Sequence, residues 1–246
     1  MKHKLLIATA ILLMPSTTTL AGGEPEAHSD VFVARPTLGN QTLVGGAQVP
    51  GDLNLEERIF EGDLETDSIS GNNIYSTTEP GFFNAGSNSP GLLGATNPAG
   101  SLPLTPGESF VVNNVPFDLD GLTADLFYWN GAGAVTFADS SADLVITQTD
   151  AIAASDGSID DHPIFDIDDP ASLDLPAGGI YLAPMTVELN GLTPSDPILV
   201  LFVTGAQFED SVEMAEGFLA ARLVPEPSAL VIVSLAMVAS LFALRR

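Results

Sequence analysis

The sequence predicts a mainly β fold: an antiparallel β-sandwich-like domain with one C-terminal amphipathic helix, followed by a single hydrophobic helix. Three observations carry that expectation. Short segments rich in Val, Ile, Phe and Tyr recur along 29–204, and these side chains suit a pleated, half-buried surface. Gly, Pro, Asn and Asp punctuate the gaps, as in Pro90-Gly91, Asn97-Pro98 and Asn190-Gly191, which is turn chemistry. The apolar spacing then switches to the helical one over 207–221.

The first strand is expected at 29–35, where the pattern alternates around Val31 and Val33. Further strands are expected at 41–44, 58–62, 109–113, 126–130, 134–138, 144–148, 164–167, 180–189 and 198–204. Many short strands with such punctuation argue for an antiparallel sandwich. Residues 63–107 are rich in Gly, Asn, Ser and Pro with little periodicity. They are expected to form a long loop or lobe, a kind of segment that is uncommon in compact domains and often functional. In the helix at 207–221, Phe208, Val212, Ala215 and Leu219 share a face. Glu209, Asp210 and Glu213 occupy its first turns, where they suit the helix dipole. The helix is expected to pack on the sandwich edge. Residues 22–223 are long enough to bury one sizeable core.

Charge is distributed unevenly along the 246 residues. Lys2, Lys4, Arg245 and Arg246 lie at the ends. Between 22 and 224 there are 31 acidic side chains, no lysine, and only Arg35, Arg58 and Arg222. Such a field repels phosphates and anionic head groups and attracts cations, which excludes nucleic acid as a partner. The chain has no cysteine, so thiolate catalysis, cysteine zinc sites and a lipid-modified N-terminal cysteine are excluded.

Residues 1–21 read as a secretory signal peptide. Lys2, His3 and Lys4 form a basic start, 5–14 an apolar stretch, and Pro15 ends it. Thr19-Leu20-Ala21 offers small residues for cleavage after Ala21. The apolar stretch falls well short of the roughly 20 residues that span a bilayer. At the other end, Val224-Pro225-Glu226-Pro227-Ser228 precedes a 16-residue run, 229–244, in which only Ser234 and Ser240 are polar. Arg245-Arg246 follows. As a helix the run is about 24 Å long, short but workable with snorkelling flanks. The arginines orient the body to the outside.

This order of three features resembles the PEP-CTERM sorting signal, over 224–246. The resemblance implies that a membrane peptidase, exosortase, recognises the tail and cuts near Pro-Glu-Pro. Val224, Pro225, Glu226, Pro227, Arg245 and Arg246 are then the sorting signal. The physics agrees, since two prolines hold the segment extended and stop a helix running in from the body. The competing reading of the same residues is a plain single-span anchor. The body is also similar to exported PEP-CTERM surface proteins at Ala27-His28-Ser29-Asp30, Glu79-Pro80-Gly81-Phe82, Tyr128-Trp129-Asn130-Gly131, Gly179-Ile180-Tyr181-Leu182 and Ser195-Asp196-Pro197. That likeness implies a fold and a location and supplies no chemistry.

Few residues in the body carry chemistry. His28 stands near Asp30, and His162 follows Asp160 and Asp161. Imidazole nitrogen and carboxylate oxygen both ligate zinc, so His28, Asp30, Asp160, Asp161 and His162 form a candidate metal set if the first strand lies near His162. The other reading is two exposed or locally bonded histidines. The acidic stretch 156–169 is a candidate for calcium on a Gly-containing turn, although its spacing does not fit an EF-hand loop; otherwise it is a solvated acidic loop. No Gly-x-Ser-x-Gly, His-Glu-x-x-His or phosphate-loop motif occurs. Trp129 with Tyr128 reads as core before it reads as a sugar platform. The leading expectation is an exported, exosortase-sorted surface or extracellular-matrix-associated protein without catalytic activity. Its partners would be signal peptidase and exosortase, the membrane through 229–244 before cleavage, and an extracellular polysaccharide as a candidate. A metal-binding protein using zinc or calcium is the alternative, and an exported hydrolase ranks third.

Overall fold

The computed structural model describes residues 30–49, 52–69, 72–88 and 96–223. The expected signal peptide, His28 and the whole of 224–246 lie outside the described residues. In chain order the strands are β1 Val31–Pro36, β2 Leu43–Val49, β3 Asp52–Asn54, β4 Ile59–Asp63, β5 Glu65–Ile69 and β6 Asn72–Thr77. Next come β7 Phe82–Ala85, β8 Ser101–Leu102, β9 Phe110–Asn114, β10 Phe117–Leu119, β11 Leu122–Ala124 and β12 Phe127–Trp129. The last are β13 Ala138–Asp139, β14 Asp143–Thr147, β15 Ser158–Asp161, β16 Ile164–Asp168, β17 Ile180–Leu189 and β18 Ile198–Val203. A 3₁₀ turn at Ala206–Phe208 leads into helix α1, Glu209–Leu223.

The protein is mainly β with one C-terminal helix. The central sheet runs β13-β12-β17-β18-β4, with β9 also paired to β17. A second sheet runs β15-β7-β1-β2-β3, with β8 on β1, and a third runs β14-β16-β6-β5. Hairpin β10-β11 stands apart. Pairing is antiparallel except for β1 with β7 and β18 with β4.

β17 and β18 read as nearly continuous apolar runs because both faces of the central sheet are buried. Tyr181, Ala183, Met185, Val187, Ile198, Val200 and Phe202 face one way, into a cluster with Val31 and Phe82 of the second sheet and Tyr75, Phe165 and Ile167 of the third. This sheet-on-sheet core is consistent with a β-sandwich. Ile180, Leu182, Leu199, Leu201 and Val203 face the other way, against Val212, Ala215 and Leu219 of α1. The helix therefore covers a sheet face and not the expected sandwich edge. The reason is local: the alternate residues of β17 and β18 are apolar too, and that face needs a cover. The helix runs two residues later than expected, with Arg222 in its last turn. Among the described residues no helix is long and apolar enough to cross a membrane.

Of the two expectations for 63–107, a long loop or a lobe, the structureless loop is corrected. The segment holds β5, β6, β7 and β8, with 70–71 and 89–95 outside the described residues. β7 sits between β1 and β15 and β6 between β16 and β5, so both are interior strands. Their composition hides this, because polar residues are satisfied inside the sheet. Asn84 is fully buried, donates from Nδ2 to Val33 O at 2.7 Å, and accepts at Oδ1 from Gly86 N at 2.8 Å. The expected strand at 134–138 is reduced to β13, and Phe137 there packs against Trp129 and Phe218.

Candidate functional site

The second and third sheets share a single ribbon. β6 and β7 run consecutively and pair with β16 and β15. Between the pairs Thr77–Phe165 and Phe82–Asp161, residues 78–81 face residues 162–164. Pro80, after a cis peptide bond, and Pro163 both fall in this gap. Proline has no N–H for a ladder, so pairing stops there and the ribbon creases.

His162 fills the crease. Its Nδ1 donates to the Thr78 carbonyl at 3.1 Å, taking the place of a missing ladder bond. That contact leaves Nε2 on the far side of the ring, 3.3 Å from Asp160 Oδ1. Asp30, just before β1, accepts from Gly81 N at 3.1 Å. A Cβ on Gly81 would stand 2.4 Å from His162 Cε1 and 2.9 Å from Asp30 Oδ1. The fold thus brings Asp30, Gly81, Asp160 and His162 together from three distant segments.

Asp161 is not part of this group. Strand alternation turns it away from Asp160 and His162, where it is buried and accepts a short hydrogen bond from Thr149 Oγ1. His28 lies outside the described residues, two positions before Asp30. Among the described residues no group of three or more His, Asp and Glu side chains is gathered closely enough to hold a metal ion. The stretch 156–169 is likewise not one acidic loop. It contains β15 and β16, which send its carboxylates to different places. Asp156 accepts from Ser158 and Asn88, bonds that hold its carboxyl below the usual range. Asp166 accepts from Ser76 Oγ at 2.6 Å.

A groove of about 640 Å³ leads from the crease along β5. It is lined by Asp63, Glu65, Thr66, Asp67, Ser76, Thr77, Thr78 and Glu79, all carboxylates or hydroxyls. Sequence reasoning missed it because these residues fall in the stretch read as a loop. The alternating acids Glu65 and Asp67 were the available signal.

None of Arg35, Arg58 and Arg222, the arginines among the described residues, lines this groove. Arg35 pairs with Glu108. Arg58 Nη1 donates to the carbonyls of Val44, Leu55 and Glu57, and burial lowers its pKa. Arg222 binds Asp120 through Nε and Nη2 and stacks 3.4 Å above the Phe218 ring. Trp129 is buried and donates to Ala132 O, while Tyr128 donates to Gly178 O at 2.9 Å and packs on Tyr181. Burial raises the pKa of Tyr128 and, further, that of Tyr181. The aromatic pair is therefore core and wall, with no open stacking face at Trp129. The sorting residues Val224, Pro225, Glu226, Pro227, Arg245 and Arg246 lie outside the described residues. No family model, curated protein or solved structure matches the chain.

Proposed function

We propose that this chain is an exported, exosortase-sorted surface or extracellular-matrix-associated protein with no catalytic activity of its own. The observation that carries the reading is the order Pro225-Glu226-Pro227, apolar 229–244, Arg245-Arg246, with the basic and apolar segment 1–21 at the opposite end. The hydrophobic segment 229–244 serves as a membrane helix until the tail is cut. Signal peptidase and exosortase are the processing partners, and an extracellular polysaccharide is the candidate final one. Intact-mass analysis of the mature chain from cells with active exosortase tests the reading. The expected mass lacks residues 1–21 and the tail. A mature chain that still ends at Arg246 would sink processing.

A second reading, an exported metal-binding protein, is supported by the crease. A His162 ring anchored through Nδ1 to a carbonyl is oriented to offer Nε2 to a cation, with the Asp160 carboxylate beside it. Asp30 reaches the same glycine, and the chain from it leads directly back to His28. Native mass spectrometry of the metal-stripped chain, titrated with Zn²⁺ and with Ca²⁺, separates the readings. One bound zinc lost in both His28→Ala and His162→Ala would favour the metal site. Weak uptake unchanged by either substitution would exclude it. No observation favours the exported hydrolase.

A further inference from the structure

The sheet edges differ in how they are closed. β3 has three residues and meets β2 across a register shift between Ala47 and Val49. β13 has two residues and β15 four. The outer edge of β9 is clamped by a side chain: Gln148 Nε2 donates to Val112 O at 2.8 Å, and Val112 N donates to Gln148 Oε1 at 3.0 Å. Shortness, bulges and coverage are the usual ways to blunt an edge.

Among the described residues β5 has none of these devices. Its five residues pair with β6 in unbroken register, from Glu65↔Ser76 to Ile69↔Asn72, and all five are exposed. It contains neither proline nor lysine. The Asn73 N–H, opposite Ser68, is directed away from β5 to the Leu173 carbonyl at 3.3 Å, and the Ser68 N–H donates to Asp67 Oδ1 at 2.6 Å. Ser68 and Asn73 are therefore a non-hydrogen-bonded pair, and Ser68 and, by alternation, Thr66 direct their backbone groups outward.

We propose that β5 is a docking edge for an extended segment of a partner protein carrying Lys or Arg at alternate positions, added to the third sheet as a further strand. Alternation places Glu65, Asp67 and Ile69 on one side of β5. In a strand running parallel to β5, basic residues two apart therefore meet Glu65 and Asp67 on the same face, and an apolar residue two further on meets the half-exposed Ile69. The groove beside the strand adds Asp63 and Glu79, and the arginines of the body are committed elsewhere. A second copy of the chain is a poor occupant, because its own β5 would bring like charges opposite these. The proposal concerns the folded body and stands whether or not the tail is processed.

The test uses the full chain in detergent and a synthetic peptide, acetyl-Thr-Lys-Thr-Lys-Thr-Val-Thr-amide. Two controls accompany it, one with Glu for Lys and one with alternate amides N-methylated. The lysine peptide is expected to bind at 1:1 and shift the Thr66 and Ser68 amide resonances. N-methylation is expected to weaken it at least ~10-fold. The double variant E65K/D67K should lose it and prefer the glutamate peptide. Thr66→Pro keeps every charge and removes one outward N–H, which an edge strand tolerates; it should also weaken binding, with circular dichroism unchanged. Equal binding of the N-methylated peptide would reduce the effect to general attraction by a polyanion and overturn the proposal. So would indifference to E65K/D67K, or no binding at all, which would leave the acids of β5 as a guard against self-pairing.

Discussion

At the scale of single residues, Gly81 and Arg222 show how much rests on one side chain. Gly81 lies where a Cβ would meet both His162 and Asp30, and neither neighbour can move without breaking its own hydrogen bond. Gly81→Ala is expected to cost about 1–3 kcal/mol, as overpacking does. Adding His162→Ala should recover part of that loss, because the two sites are in contact. Urea unfolding of the single and double variants checks it, and strict additivity would show that the ring is not what the new methyl meets. Arg222 holds Asp120 through three hydrogen bonds from Nε and Nη2, which lower the Asp120 pKa. A carboxyl with a depressed folded pKa stabilises fully above its unfolded value, and loses that contribution as pH falls through the folded value. The stability gap between wild type and Asp120→Asn should therefore be present at neutral pH and vanish in acid below the ordinary carboxylate range. Asp120 is exposed, so the gap should also narrow with salt. Unfolding midpoints at several pH values and ionic strengths would show both trends.

At the scale of elements, the structure turns on which faces are covered. Helix α1 contributes Val212, Ala215 and Leu219 to the cluster on the outer face of the central sheet. Leu219 is fully buried, and Leu219→Ala is expected to cost roughly 2–5 kcal/mol. Leu173→Ala, at a residue 67% exposed, should stay within about 0.5 kcal/mol. Thermal unfolding of the pair is the check, and similar losses would contradict the packing described. The Gln148 clamp on β9 is a second case. Gln148→Ala leaves the Val112 N–H and C=O without that partner, and a loss of about 1–3 kcal/mol is expected if water does not replace it. Faster hydrogen exchange at the Val112 amide would accompany the loss. Elements were legible in the sequence where their pattern was strong. β17 matches its expected span, 180–189, residue for residue, because an uninterrupted apolar run needs no partner to be recognised. β6 and β7 were not legible, because Asn72-Asn73 and Asn84 look like turn residues until their neighbours satisfy them. β15 was hidden for a similar reason: Asp160-Asp161-His162 reads as a solvated acidic stretch, and only pairing with Phe82 and Phe83 makes it a strand.

At the scale of the whole molecule, charge and sheet order act together. The body carries 31 acidic side chains and three arginines, and each arginine is engaged in a local contact. Self-repulsion therefore opposes compaction over the entire surface. Raising sodium chloride from about 20 mM to about 500 mM is expected to raise the melting temperature, since salt screens exposed charges. A fall in melting temperature would mean that the few ion pairs outweigh the repulsion. The β class, the C-terminal helix and the acidity of the body follow from the sequence by itself. These are local properties, set by composition, spacing and side-chain chemistry along a short stretch. Only the tertiary structure decided that β7 separates β1 from β15, that the ribbon creases at Pro80 and Pro163, and that Asp30 and His162 meet over Gly81. It also decided that Asp161 turns to Thr149, that α1 covers a sheet face, and that β5 ends the third sheet. Each of these depends on which distant strands pair and in what register. That choice is made by burying both faces of β17 and β18 at once, and no single segment of the sequence carries it.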